Sequence, residues 1–128
     1  MHPFSPEISP PGAVIELPIQ NPRNSKSIKC NFLIDTGTDI TCIPNEVVGE
    51  LNLSSYKTIK AYDYNDQVEL RNAFYVNLKV GEYQKTISVI SVSGNIGFLG
   101  RDVLKDFVLI INGPKQQYDF TNSGEESA

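Results

Sequence analysis

Along most of this chain apolar and polar residues alternate with a period of two, the spacing of strands that bury one face. Residues 13–19 carry the pattern, with Pro18 steering that strand toward a sheet edge. Turn-forming residues fill 20–25, and a second strand is expected over 27–34. A β-branched run at 40–43 reads as a short buried strand, and 44–51 as one or two helical turns with Pro44 in the first. Branched and aromatic residues over 58–64 and 67–78 flank Asn65-Asp66, which predicts a long hairpin with its tip near 62–66. A turn at Val80-Gly81-Glu82-Tyr83 leads into a strand over 85–92. After a break at 93–95 come an apolar pair and a glycine, then a short helix over 101–106. Strands at 107–111 and 117–120 follow, with Asn112-Gly113-Pro114 between them.

These elements make an all-β chain with one or two short helices. Residues 1–12 hold four prolines and little periodicity, so a flexible N-terminal arm is expected there. Residues 13–120 form the one domain, and the polar, acidic stretch 121–128 reads as a disordered tail. With 128 residues, 40% of them apolar, the chain is long enough for a single real core. Its formal charge of −4 supplies no basic field for nucleic acid or anionic lipid. No apolar stretch is long enough to span a bilayer, and the first residues lack the pattern of a signal peptide. Two cysteines, Cys30 and Cys42, are spaced for neither a disulfide framework nor a zinc site. A cytoplasmic protein without metal or cofactor, whose thiols are small buried apolar groups, is the expectation.

Candidate chemistry concentrates at Phe32-Leu33-Ile34-Asp35-Thr36-Gly37-Thr38-Asp39. An apolar strand can carry an acid into a low-dielectric site, where it behaves unlike an exposed carboxylate. Gly37 allows a sharp turn just after the acid, and Thr36 offers a hydroxyl that can hold the loop from below. Taken alone, Asp35 is equally a turn or capping acid. Asp102 reads as an acid at a helix N-terminus, without a catalytic role. Asp63, Asp66 and Glu69 lack the glycine and spacing of a calcium loop and suit a charged hairpin tip. Tyr62 and Tyr64 share a strand face, which fits either a substrate lid or plain cross-strand packing.

Ile34-Asp35-Thr36-Gly37-Thr38-Asp39, followed later by Phe98-Leu99-Gly100-Arg101-Asp102-Val103-Leu104, resembles the retropepsins, the single-domain aspartic proteases of retroviruses and their cellular and prokaryotic relatives. The resemblance covers about residues 13–120 and rests on two motifs in order, which is far more specific than one Asp-Thr-Gly. It implies a closed β-barrel acid-protease fold, one lobe per chain, in which the loops around Asp35 and Leu99-Gly100 meet under the active site. It also implies a homodimer. Aspartic proteolysis needs two carboxylates, and this chain has one Asp-Thr-Gly and no room for a second copy of the fold.

The resemblance assigns further roles. Asp35, Thr36 and Gly37 would form the catalytic loop, with Thr36 crossing the dimer axis and the Gly37 carbonyl meeting the substrate backbone. Asp39 and Arg101 match positions that form an ion pair, bracing the loop with Leu99 and Gly100. The hairpin over 58–75 matches the flap, so Ala61, Tyr62, Asp63 and Tyr64 would cover an extended peptide bound alongside Gly37 and Asp39. Two features depart from the pattern: the flap tip has no glycine, and the termini lack the composition of interleaved strands. The implied function is peptide hydrolysis by a homodimer through a water activated by paired Asp35 carboxylates. The alternative is a catalytically weak dimer of the same fold that binds or scaffolds peptides.

Overall fold

The computed structural model describes residues 1–62 and 65–122. Strands β1 (His2–Pro3), β2 (Val14–Gln20), β3 (Ser27–Ile34) and β4 (Cys42–Pro44) precede helix α1 (Asn45–Glu50). Then come β5 (Lys57–Tyr62), β6 (Val68–Val80), β7 (Tyr83–Val92) and β8 (Gly97–Leu99), helix α2 (Arg101–Leu104), and β9 (Phe107–Asn112) with β10 (Gln117–Asn122). The expected all-β class with two short helices is what the chain adopts.

Seven strands form one sheet in the order β2-β3-β8-β4-β7-β6-β5. Pairing of Ile19 with Leu78 and of Gln20 with Asn77 joins β2 to β6, which closes six of them into a barrel and leaves β5 outside. The period-two pattern explains its interior. Cys30, Phe32 and Ile34 of β3 point inward while Lys29 and Asn31 face solvent, and Phe74, Val76 and Leu78 do the same on β6. Ile19, Ile43, Leu51, Val89 and Val103 complete a core that excludes water.

A second sheet, β1-β10-β9, lies beside the barrel. Tyr118 ties the two together: its ring is buried in the core, and its hydroxyl donates to the Val14 carbonyl at 2.9 Å. Tyr118→Phe keeps the ring and removes that bond, so a loss of about 1 kcal/mol in urea unfolding is expected. An unchanged midpoint would mean that water replaces the bond at no cost.

The arm expected to be flexible is held at several points. His2 and Pro3 pair with β10, the terminal ammonium lies 3.2 Å from Asp119, and Ser5 bridges to Gly12. Phe4 packs against the core. Neither β1 nor β8 was expected, because each is only two or three residues long and gains its partner from distant chain. Thr121 and Asn122, read as the start of the tail, belong to β10; residues 123–128 lie outside the described residues.

Candidate active site

Asp35 follows directly on β3, and β8 sets its position. The two strands run parallel, with Phe32 opposite Gly97, Leu33 opposite Phe98 and Ile34 opposite Leu99. The ladder continues one step, as Asp35 N–H donates to the Leu99 carbonyl at 3.0 Å. Gly97 is required by this crossing: a Cβ there would lie 2.6 Å from the Cys42 carbonyl oxygen and 2.8 Å from the Phe32 ring. A Cβ on Gly100 would come within 2.8 Å of the Thr38 carbonyl oxygen. The two loops therefore touch backbone to backbone.

The carboxylate of Asp35 is half-buried and held on both oxygens. Gly37 N–H donates to Oδ1 at 2.9 Å and the Thr38 hydroxyl to Oδ2 at 2.8 Å. The hydroxyl on the acid is thus that of Thr38, a contact sequence reasoning did not assign to any residue. The turn at Gly37 makes this contact, because it brings Thr38 back over the acid with Thr38 N–H 3.2 Å from the Asp35 carbonyl oxygen. Thr36 and Gly37 themselves are exposed.

Arg101 and Asp39 do not pair. Arg101 begins α2 directly beneath the loop, its N–H donating to the Thr38 carbonyl at 2.8 Å and its guanidinium to the Thr36 carbonyl at 2.6 Å. Asp39 is exposed and accepts from Ile40 N–H at 3.0 Å. The nearest acceptor for the guanidinium is backbone, so Arg101 braces the loop without the carboxylate.

A second brace went unread. Thr41 is fully buried, and its hydroxyl accepts from Gly100 N–H at 3.1 Å while donating to Asp102 Oδ1 at 2.7 Å. Asp102 Oδ2 accepts from Thr41 N–H at 3.0 Å, and Oδ1 also accepts from Val103 N–H at 2.9 Å. Asp102 does sit in the first turn of α2, as expected, but it also locks that turn to the segment leaving the Asp35 loop. The available signal was one threonine inside the apolar run 40–43.

Hairpin β5–β6 stands over this loop, with Tyr62 opposite Val68 at its described end. A cleft of 310 Å³ opens between them, lined by Gly37, Asp39, Ile40, Ile59, Ala61 and Tyr62 among others. Four of the expected substrate-binding residues (Gly37, Asp39, Ala61 and Tyr62) therefore surround one cavity. Tyr62 is 68% exposed. Asp63 and Tyr64 lie outside the described residues.

Cys42 lines the inner wall of the cleft with its thiol pushed up to about 11, first by burial and then by the charge of Asp102. Burial alone pushes Cys30 to about 12. Both thiols are free and stay protonated at pH 8. Ellman's reagent at that pH should leave the folded protein unlabelled and react with two thiols per chain in denaturant; fast labelling of the native protein would contradict this. Among the described residues, no group of three or more His, Cys, Asp or Glu side chains is placed to hold a metal ion. No described helix is long and apolar enough to cross a membrane.

No protein-family model matches the chain, and no curated protein sequence does. Solved structures do match. A retropepsin-like aspartic protease from Rickettsia conorii superposes with a TM-score of 0.56 at 19% identity, over 95% of this chain and 97% of that one. The fold is retropepsin-like. The foamy viral protease–reverse transcriptase, solved with an RNA/DNA hybrid, superposes with a TM-score of 0.51 at 18% identity. That match covers 72% of this chain and only 12% of the viral one.

Proposed function

We propose that the protein is an aspartic endopeptidase that works as a homodimer. The observation that carries this reading is the carriage of Asp35: an acid clamped on an exposed loop by Gly37 N–H and the Thr38 hydroxyl, two residues that line a cleft roofed by a hairpin. One chain supplies one carboxylate, and a two-fold axis beside Thr36 would bring up Asp35 of a second copy. Two carboxylates so close hold one proton between them, because both cannot ionise together.

In that dimer the ionised carboxylate takes a proton from water as it attacks the scissile carbonyl. The protonated one donates to the carbonyl oxygen, giving a tetrahedral diol. Collapse returns a proton to the leaving amine. Gly37 would meet the substrate backbone through its carbonyl, and Thr36 would bond across the axis. Arg101, Leu99 and Gly100, with Thr41 and Asp102, position the loop without touching substrate. Ala61 and Tyr62, and beyond them Asp63 and Tyr64, would cover the peptide. Exposed Val108, Ile110 and Ile111 on β9 supply apolar surface for a partner copy.

Peptide-library digestion from mildly acidic to neutral pH, over a range of protein concentrations, tests the reading. Specific activity should rise with concentration, and a statine-type hydroxyl, which mimics the diol, should inhibit. A stable dimer that cleaves nothing and ignores the inhibitor would instead mark a peptide-binding module.

A further inference from the structure

A second cavity, of 490 Å³, continues the cleft. The two share Ile40 and Ile59 as a common wall. Beyond that wall the surface changes character, because Lys57, Lys85 and Lys105 converge there from β5, β7 and the end of α2. In a chain of net charge −4, three lysines around one apolar-floored groove are a local reversal of sign.

The lysines are unequally engaged. Lys85 Nζ lies 3.7 Å from Asp106, and Lys57 Nζ sits 5.4 Å from the Tyr56 ring centroid. None of the ion pairs among the described residues includes Lys57 or Lys105, and both are exposed. Asp102 also borders the groove and keeps its charge, although its oxygens accept from Thr41 and Val103. Lys57, Lys85 and Lys105 against Asp102 and the Asp106 beside Lys85 still leave the balance around the groove positive.

Strand geometry connects this charge to the cleft. Lys57, Ile59 and Ala61 alternate onto one face of β5, so Lys57 stands about 13 Å along that face from Ala61. An extended peptide leaving the cleft along β5 rises at the same rate, and a residue about four positions on comes level with Lys57. We propose that this groove is a remote specificity subsite, which receives an acidic side chain of an extended peptide substrate through Lys57 and Lys105. The inference rests on the proposed peptidase reading for its substrate, while the groove's preference for acid can be measured without turnover.

The test is a set of matched peptides carrying Glu or Gln at successive positions on either side of a cleaved bond. At one remote position, and at its symmetry mate across the cleaved bond because the two-fold axis repeats the groove, Glu should raise kcat/KM over Gln by roughly fivefold at low salt, the scale of exposed ion pairs. The ratio should shrink as salt is raised. It should fall to about one in the Lys57→Gln/Lys105→Gln double variant and persist in the Lys57→Arg/Lys105→Arg one, since only charge is required. Should the wild type cleave neither peptide, the peptidase reading fails, and fluorescence anisotropy with the same labelled peptides reads the same Glu/Gln ratio as binding. A ratio near one at every position, or a preference that survives loss of both lysine charges, overturns the subsite.

Discussion

Peptide hydrolysis should fall by about 10⁴-fold in Asp35→Asn, the upper range for removing an acid–base catalyst, since one substitution removes both carboxylates of the dimer. The fold should survive. An asparagine Oδ1 can still accept from Gly37 N–H, and the Thr38 hydroxyl can turn to accept from the new amide, so stability should stay within about 1 kcal/mol. This separates lost chemistry from lost structure. Mixing the variant into a fixed amount of wild type sharpens the result, because each mixed dimer carries a single acid. At equal amounts about half of the wild-type protomers are drawn into mixed dimers under random exchange, and activity should drop accordingly. Retention of a tenth of the wild-type rate by the variant alone would place the reacting carboxylate elsewhere.

The second large effect concerns stability. Asp102→Ala removes the acceptor for Thr41 N–H, the Thr41 hydroxyl and Val103 N–H, two of which belong to a residue that water does not reach. Buried donors left without partners carry their full desolvation penalty, so about 3 kcal/mol of stability should be lost. For a domain of this size that lowers the melting temperature by about 10 °C. Asp102→Asn keeps one acceptor oxygen and should lose less. Circular dichroism melts of the three proteins decide the matter. If Asp102→Ala melts within a degree or two of wild type, the Thr41–Asp102 lock is not what holds α2 against the loop.

The contrast between these two acids shows what can be read from residue order. Asp35 was legible because its setting is local: an apolar strand ends on it, and a glycine two residues later makes the turn. Asp102 was read as a helix-start acid because its neighbours say only that. Its partner Thr41 lies 61 residues earlier in the chain, and nothing in the intervening sequence announces the contact. Arg101 is a similar case. The resemblance to retropepsins implied a carboxylate partner in Asp39, but the guanidinium reaches the Thr36 carbonyl, 65 residues away in sequence. Which acceptor lies nearest depends on how the loop folds over α2, and that is a matter of ångströms.

The sequence by itself determined the longer strands, the hairpin over the site and the acid at the end of β3, together with the two motifs whose order marks the fold. Period-two burial and turn chemistry act between neighbours, so their signal survives in a linear string. Only the tertiary structure decided the parallel β3–β8 pairing, the pairing of β1 with β10, the Thr38 hydroxyl at the carboxylate, and the lysine groove beyond Ile59. Each of these depends on closing the chain over long separations. There, packing and the need to satisfy every buried polar group select one partner from many that local sequence permits equally.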